Sequence, residues 1–76
     1  MPSEAVRNFN DGVSHYQEIL HSNGIHLNPI NNPTRREIEQ RIERIDEAKN
    51  QTHNTQKIQK LNRLRNYLLE INYEHN

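Results

Sequence analysis

From Thr55 to Glu74 the chain runs without a Gly or a Pro, and Ile58, Leu61, Leu64, Leu68 and Ile71 recur through it at spacings of three and four. At roughly 100° per residue these five side chains fall within one arc, with Leu69 at its edge. That period is the signature of one helical face. Most of the remaining positions hold Lys, Arg, Gln or Glu, all good helix formers. The stretch therefore predicts a long amphipathic helix over about 55–74. As the longest and most apolar segment, it is expected to be the wall on which the rest of the chain packs.

Two further helices are expected. Val6, Phe9, Val13, Tyr16 and Leu20 step by three and four, with Ile19 flanking. They define an amphipathic helix over about 4–22. Ser3 suits its N-cap because a hydroxyl can accept a free amide of the first turn. Gly12 falls near the apolar side of this helix, where it allows a close approach by a neighbour. Asn23-Gly24 reads as the stop, with Gly24 suited to the left-handed position after a helix C-terminus. Ile38, Ile42, Ile45 and Ala48 form a narrower stripe over about 34–50. This helix starts either with Asn32 as cap and Pro33 at the first position, or with Thr34 as cap and Glu37 completing a capping box. Arg35/Glu39 and Glu37/Arg41 are opposite-charge pairs at i,i+4.

Residues 23–33 form the connection between the first two helices. Pro29 and Pro33 each hold the residue before them out of helical geometry. Ile25, Leu27 and Ile30 alternate with polar residues and suit the end of a helical core. A short strand here would have no partner strand. The apolar-free stretch from Asn50 to Asn54 is a turn, and a turn that short makes its two helices antiparallel neighbours. The expected fold is thus all-α: a single domain over 1–76, a small three-helix bundle with the second and third helices as an antiparallel hairpin.

With 76 residues and only 30% of them hydrophobic, a single core is marginal. Each ordered residue costs about 1–2 kcal/mol of backbone entropy, so support from a partner subunit or target is expected. Ten basic and ten acidic residues cancel, which leaves no global field to draw the protein onto nucleic acid or an anionic membrane. The absence of Cys removes disulfide and thiolate chemistry and fits a reducing compartment. Neither a secretion signal nor a membrane span is expected. A cytoplasmic protein follows, in which the sequon at Asn50 is a chance match.

No motif argues for catalysis. Ser3, Ser14 and Ser22 have no His and acid at a recognisable spacing, and the two glycines form no phosphate loop. Adjacent residues on a helix, such as Ser14 and His15, do not face each other. Of the five His (15, 21, 26, 53 and 75), only His21 has a metal-like companion, Glu18 at E-x-x-H spacing. A di-iron site needs a second such pair and two further Glu, and zinc needs three or four converging ligands. The expectation is therefore no enzyme, no cofactor and no metal.

Two surfaces remain. Leu27, Ile30, Tyr67, Leu69 and Tyr73 lie at or beyond the edges of the expected core, and exposed aromatic and aliphatic groups together are what protein interfaces use. Lys57, Gln59, Lys60, Asn62, Arg63 and Asn66 lie in a stretch without an acid, and Gln, Asn and Arg are the side chains that read base edges. A neutral total charge is atypical of a nucleic-acid binder. The reading is a small non-enzymatic helical protein that binds and regulates or inhibits another protein, in an inhibitor, antitoxin-like or adaptor role. Its alternative is a nucleic-acid-binding regulator using the last helix, and a homo-oligomer is compatible with either.

Overall fold

The computed structural model of the chain describes residues 3–74, with side chains as far as residue 72. Their regular secondary structure is all helix, and among them there is no strand. Four helices follow one another: α1 (Glu4–His15), α2 (Gln17–Ser22), α3 (Arg35–Gln51) and α4 (Thr55–Glu74). The expected first helix is thus two, broken at Tyr16, whose φ of −101° and ψ of 17° leave the helical region. The sequence Gly12-Val13-Ser14-His15-Tyr16 explains the weak point, because every one of these residues ranks in the lower part of the helix scale. The ladder bends there without opening: Tyr16 N–H donates to Gly12 O at 2.9 Å and Leu20 N–H donates to Tyr16 O at 3.0 Å.

Helix ends follow the chemistry of their caps. The Ser3 hydroxyl accepts from Val6 N–H at 3.2 Å. Thr34 caps α3 by accepting from Glu37 N–H at 3.1 Å, and its hydroxyl donates to the Glu37 carboxylate at 3.3 Å. Asn32 does not take the cap, because it occupies the left-handed region at φ 51°. Asn54 caps α4, accepting from Lys57 N–H at 3.1 Å. At the end of α2, Gly24 has φ 71°. Ile25 N–H then reaches Leu20 O at 2.9 Å and Gly24 N–H reaches His21 O at 3.0 Å. This is the Schellman arrangement, completed by the buried pair Leu20 and Ile25. An Ala at position 24 would lose it, since a Cβ disfavours that φ.

α4 is the wall: both α1 and α3 pack on it. Leu61, Leu64, Leu68 and Ile71 are buried with Val6, Phe9, Val13 and Leu20 from the first arm and Ile38 and Ile45 from α3. Ile58, Ile42 and Ala48 are half-buried. Gly12 sits where α1 meets α4, and a Cβ added there would lie 2.7 Å from Leu64 Cδ2. The connection supplies the remaining core. Ile25, Leu27 and Ile30 are all buried in the cluster, and Asn10 of α1 holds Ile30 by two hydrogen bonds. Of the two expected i,i+4 ion pairs, Arg35–Glu39 forms at 3.9 Å on the exposed surface. Glu37 and Arg41 do not pair: the Glu37 side chain is occupied by Thr34, and Arg41 Nη1 donates instead to the Glu37 backbone carbonyl at 3.3 Å.

Candidate functional site

The first half of α4 carries Lys57, Lys60, Arg63 and Arg65, with no Asp or Glu before Glu70. At about 100° per residue, Gln56, Gln59, Lys60, Arg63 and Tyr67 share one flank of this helix, beside the core face. The break at the end of α1 sets Tyr16 against that flank. Arg63 Nη1 donates to the Tyr16 hydroxyl at 3.3 Å. Lys60 Nζ stands over the Tyr16 ring, 5.6 Å from its centroid. The His15 ring meets Tyr16 edge-on, with centroids 5.1 Å apart. A cation over an aromatic face is attracted by the ring quadrupole, by about 0.5–1 kcal/mol at an exposed position. Tyr16, Gln56, Gln59, Lys60 and Arg63 together line an open depression of about 340 Å³.

Tyr16 also borders the next depression along the α1–α4 seam, which adds Asn8, Asp11, Gly12, His15 and Tyr67. The groove is therefore amide-rich at one end and cationic in the middle. Its far end carries one acid, Asp11. Arg65 takes no part, since its Nε is bonded to Asp46 Oδ1 at 2.9 Å. Lys60 and Arg63 have no carboxylate partner among the described residues. Their charge is directed at solvent and at Tyr16.

Of the six residues expected on a basic face, the structure brings Gln59, Lys60 and Arg63 together. Lys57 lies roughly 160° around α4 from Gln59, and Asn62 and Asn66 line neither depression. Tyr16 and Gln56 complete the site and were not legible as part of it. Tyr16 reads as core by its spacing, and it does pack half-buried against the core, while its hydroxyl and ring meet Arg63 and Lys60.

The expected apolar surface is dispersed. Leu27 and Ile30 are 9% and 4% exposed and belong to the protein's own core, as their alternation in the connection suggested, which corrects their assignment to a partner-binding surface. Their alternation with polar residues lets the connection turn both side chains inward. Tyr67 is half-buried, with its ring against Gly12. Leu69 is 41% exposed, the one exposed large hydrophobic side chain among the described residues. It lies roughly 160° around α4 from Tyr67, so the two form no common patch. The Tyr73 side chain falls outside the described residues.

Glu18 and His21 are both exposed, and the His21 and His26 rings approach to 5.2 Å between centroids. No cluster of three or more His, Cys, Asp or Glu among the described residues could hold a metal ion. His75 lies outside that range. No helix among the described residues is long and apolar enough to cross a membrane. Compared with known proteins, the chain matches no family model, no curated protein and no solved structure.

Proposed function

We propose that this is a small non-enzymatic helical protein that binds another protein and regulates or inhibits it, with the Tyr16–Lys60–Arg63 cluster at the centre of the contact. The observation that carries this reading is the engagement of Arg63 and Lys60 with one aromatic side chain in an otherwise unpaired surface groove. Tyr and Arg are the side chains that most often anchor interfaces. Holding them together before the partner arrives reduces the rotamer entropy lost on binding. The cluster would receive an acidic stretch of the partner, and Tyr67 continues the contact along the seam.

The same reading takes α1 and α2 as one bent arm of a three-helix bundle, with α3 and α4 as an antiparallel hairpin across residues 52–54. It treats the chain as one domain. It also places the protein in the cytoplasm, to which the lack of Cys is suited.

A nucleic-acid-binding role is the second reading. It is favoured by the sharing of one depression by Gln59, Lys60, Arg63 and an aromatic ring, and opposed by the zero net charge and by Asp11 in the adjoining groove.

The test is affinity purification from the native host with the parent and with Tyr16→Ala and Arg63→Ala, alongside binding to mixed nucleic acid at two salt concentrations. The expected result is a specific protein that co-elutes with the parent and is lost with either variant. Retention on nucleic acid that falls steeply with salt, and is lost with Lys60→Ala and Arg63→Ala, would select the second reading instead.

A further inference from the structure

Where the connection crosses α3, His26, Leu27 and Asn28 face Gln40, Arg41 and Arg44 across a depression of about 190 Å³. α3 carries five acidic residues, Glu37, Glu39, Glu43, Asp46 and Glu47, yet none of them lines this depression. Arg41 and Arg44 are three residues apart and so share a helix face. Neither pairs with a carboxylate among the described residues. Arg41 spends Nη1 on the Glu37 carbonyl, and its Nε is buried without a hydrogen-bond partner. Buried donors on charged groups are rarely left without an acceptor, because the loss of hydration goes uncompensated.

We propose that this depression is a phosphate-binding site, taking inorganic phosphate or the phosphate group of a small soluble monoester. Two guanidiniums supply two permanent positive charges, which match a dianion. Their planar forks suit the several acceptor oxygens of a tetrahedral oxyanion. The His26 imidazole and the Asn28 and Gln40 amides add donors around the rim. A carboxylate offers two oxygens and one charge, and would leave half of this set unmatched. The volume lies below the usual range of about 300–1,000 Å³ for small-molecule pockets, so the site holds a group and not a large ligand. Arg44 also borders the neighbouring depression, where Glu47 lies. The site is separate in its residues from the α1–α4 groove, and it stands whether or not that groove binds a partner.

The test is titration of the full chain with inorganic phosphate at constant ionic strength, followed by amide NMR shifts and by thermal melting. The expected result is saturable shifts confined to Asn28, Arg41, Arg44 and their neighbours, with a rise in melting temperature that equal ionic strength of chloride does not produce. Arg44 is exposed, so Arg44→Gln should melt like the parent and bind at least about tenfold more weakly, as expected for loss of a charge-assisted contact. Arg41→Lys, which keeps the charge but removes the planar fork, should weaken binding as well. Glycerol 3-phosphate and vesicles containing phosphatidic acid separate the sources of the group. Binding of glycerol 3-phosphate at least as tight as that of inorganic phosphate assigns a soluble monoester. A response to the vesicles alone overturns the proposal. So does a response to acetate equal to that to phosphate, an absence of saturable shifts, or an affinity unchanged in both Arg variants.

Discussion

The side-chain amide of Asn10 closes both backbone groups of Ile30: Nδ2 donates to the Ile30 carbonyl at 2.9 Å and Oδ1 accepts from the Ile30 N–H at 2.8 Å. The Asn side chain acts here as a peptide group would in a paired strand, offering one donor and one acceptor. It fastens the connection to α1 and holds the Ile30 side chain in the core. A connection without secondary structure has few backbone partners of its own, so this clamp decides where it runs. The same path sets His26, Leu27 and Asn28 against α3.

Asn10→Ala should therefore destabilise the fold by about 1–3 kcal/mol, because both Ile30 groups lose their partner in a part-buried position. A urea titration measures the loss. Faster hydrogen exchange at the Ile30 amide should accompany it. A midpoint equal to that of the parent would show that the connection is held by its apolar side chains alone.

Leu61 and Leu68 sit on the core face of α4 and are 2% and 0% exposed. Leu→Ala at either should cost about 2–5 kcal/mol, enough to unfold a domain of this size in mild denaturant. Leu69 is the control, one residue further along the same helix. Leu69→Ser should change stability by no more than about 0.5 kcal/mol, as for a surface position. Similar losses at Leu68 and Leu69 would mean that the apolar face is misplaced.

Arg65 is removed from the basic face by Asp46, and the pair joins α4 to α3. Both side chains remain substantially solvated, so the pair should contribute no more than about 1 kcal/mol in a double-mutant cycle. The coupling should shrink as salt is raised. Arg65→Ala should leave partner binding unchanged, whereas Arg63→Ala should weaken it.

The helical faces and caps could be read from the chain because they depend on local chemistry. Leu61, Leu64, Leu68 and Ile71 follow from period, Ser3 and Thr34 from their hydroxyls, and Gly24 from its freedom at positive φ. The break at Tyr16 was less legible, since helix scales rank residues too closely for five mediocre formers to mark one residue. The burial of Leu27 and Ile30 agrees with their alternation in the connection and not with a place on a binding surface, and the Asn10 clamp on Ile30 spans twenty residues that no local pattern records. The Tyr16–Arg63 contact joins residues 47 apart, and no periodicity within either helix records it.

Gly12 links stability to the site. A Cβ at this position would approach Leu64 Cδ2 to 2.7 Å, with the Tyr67 ring at 3.5 Å. Leu64 is fully buried and has little room to yield. Gly12→Ala should gain about 1 kcal/mol of helix propensity and lose about 1–3 kcal/mol to overpacking, for a net loss of about 1 kcal/mol. The relief available to the protein is a small movement of α1 away from α4, which also lengthens the Tyr16–Arg63 hydrogen bond. Partner binding should therefore weaken beyond what the stability change alone explains. In a Leu64→Ala background the added Cβ has space, and Gly12→Ala should become neutral or stabilising. Thermal melts of the four chains of this cycle measure the coupling. Additive effects would show that Gly12 is not the point of closest approach between the two helices.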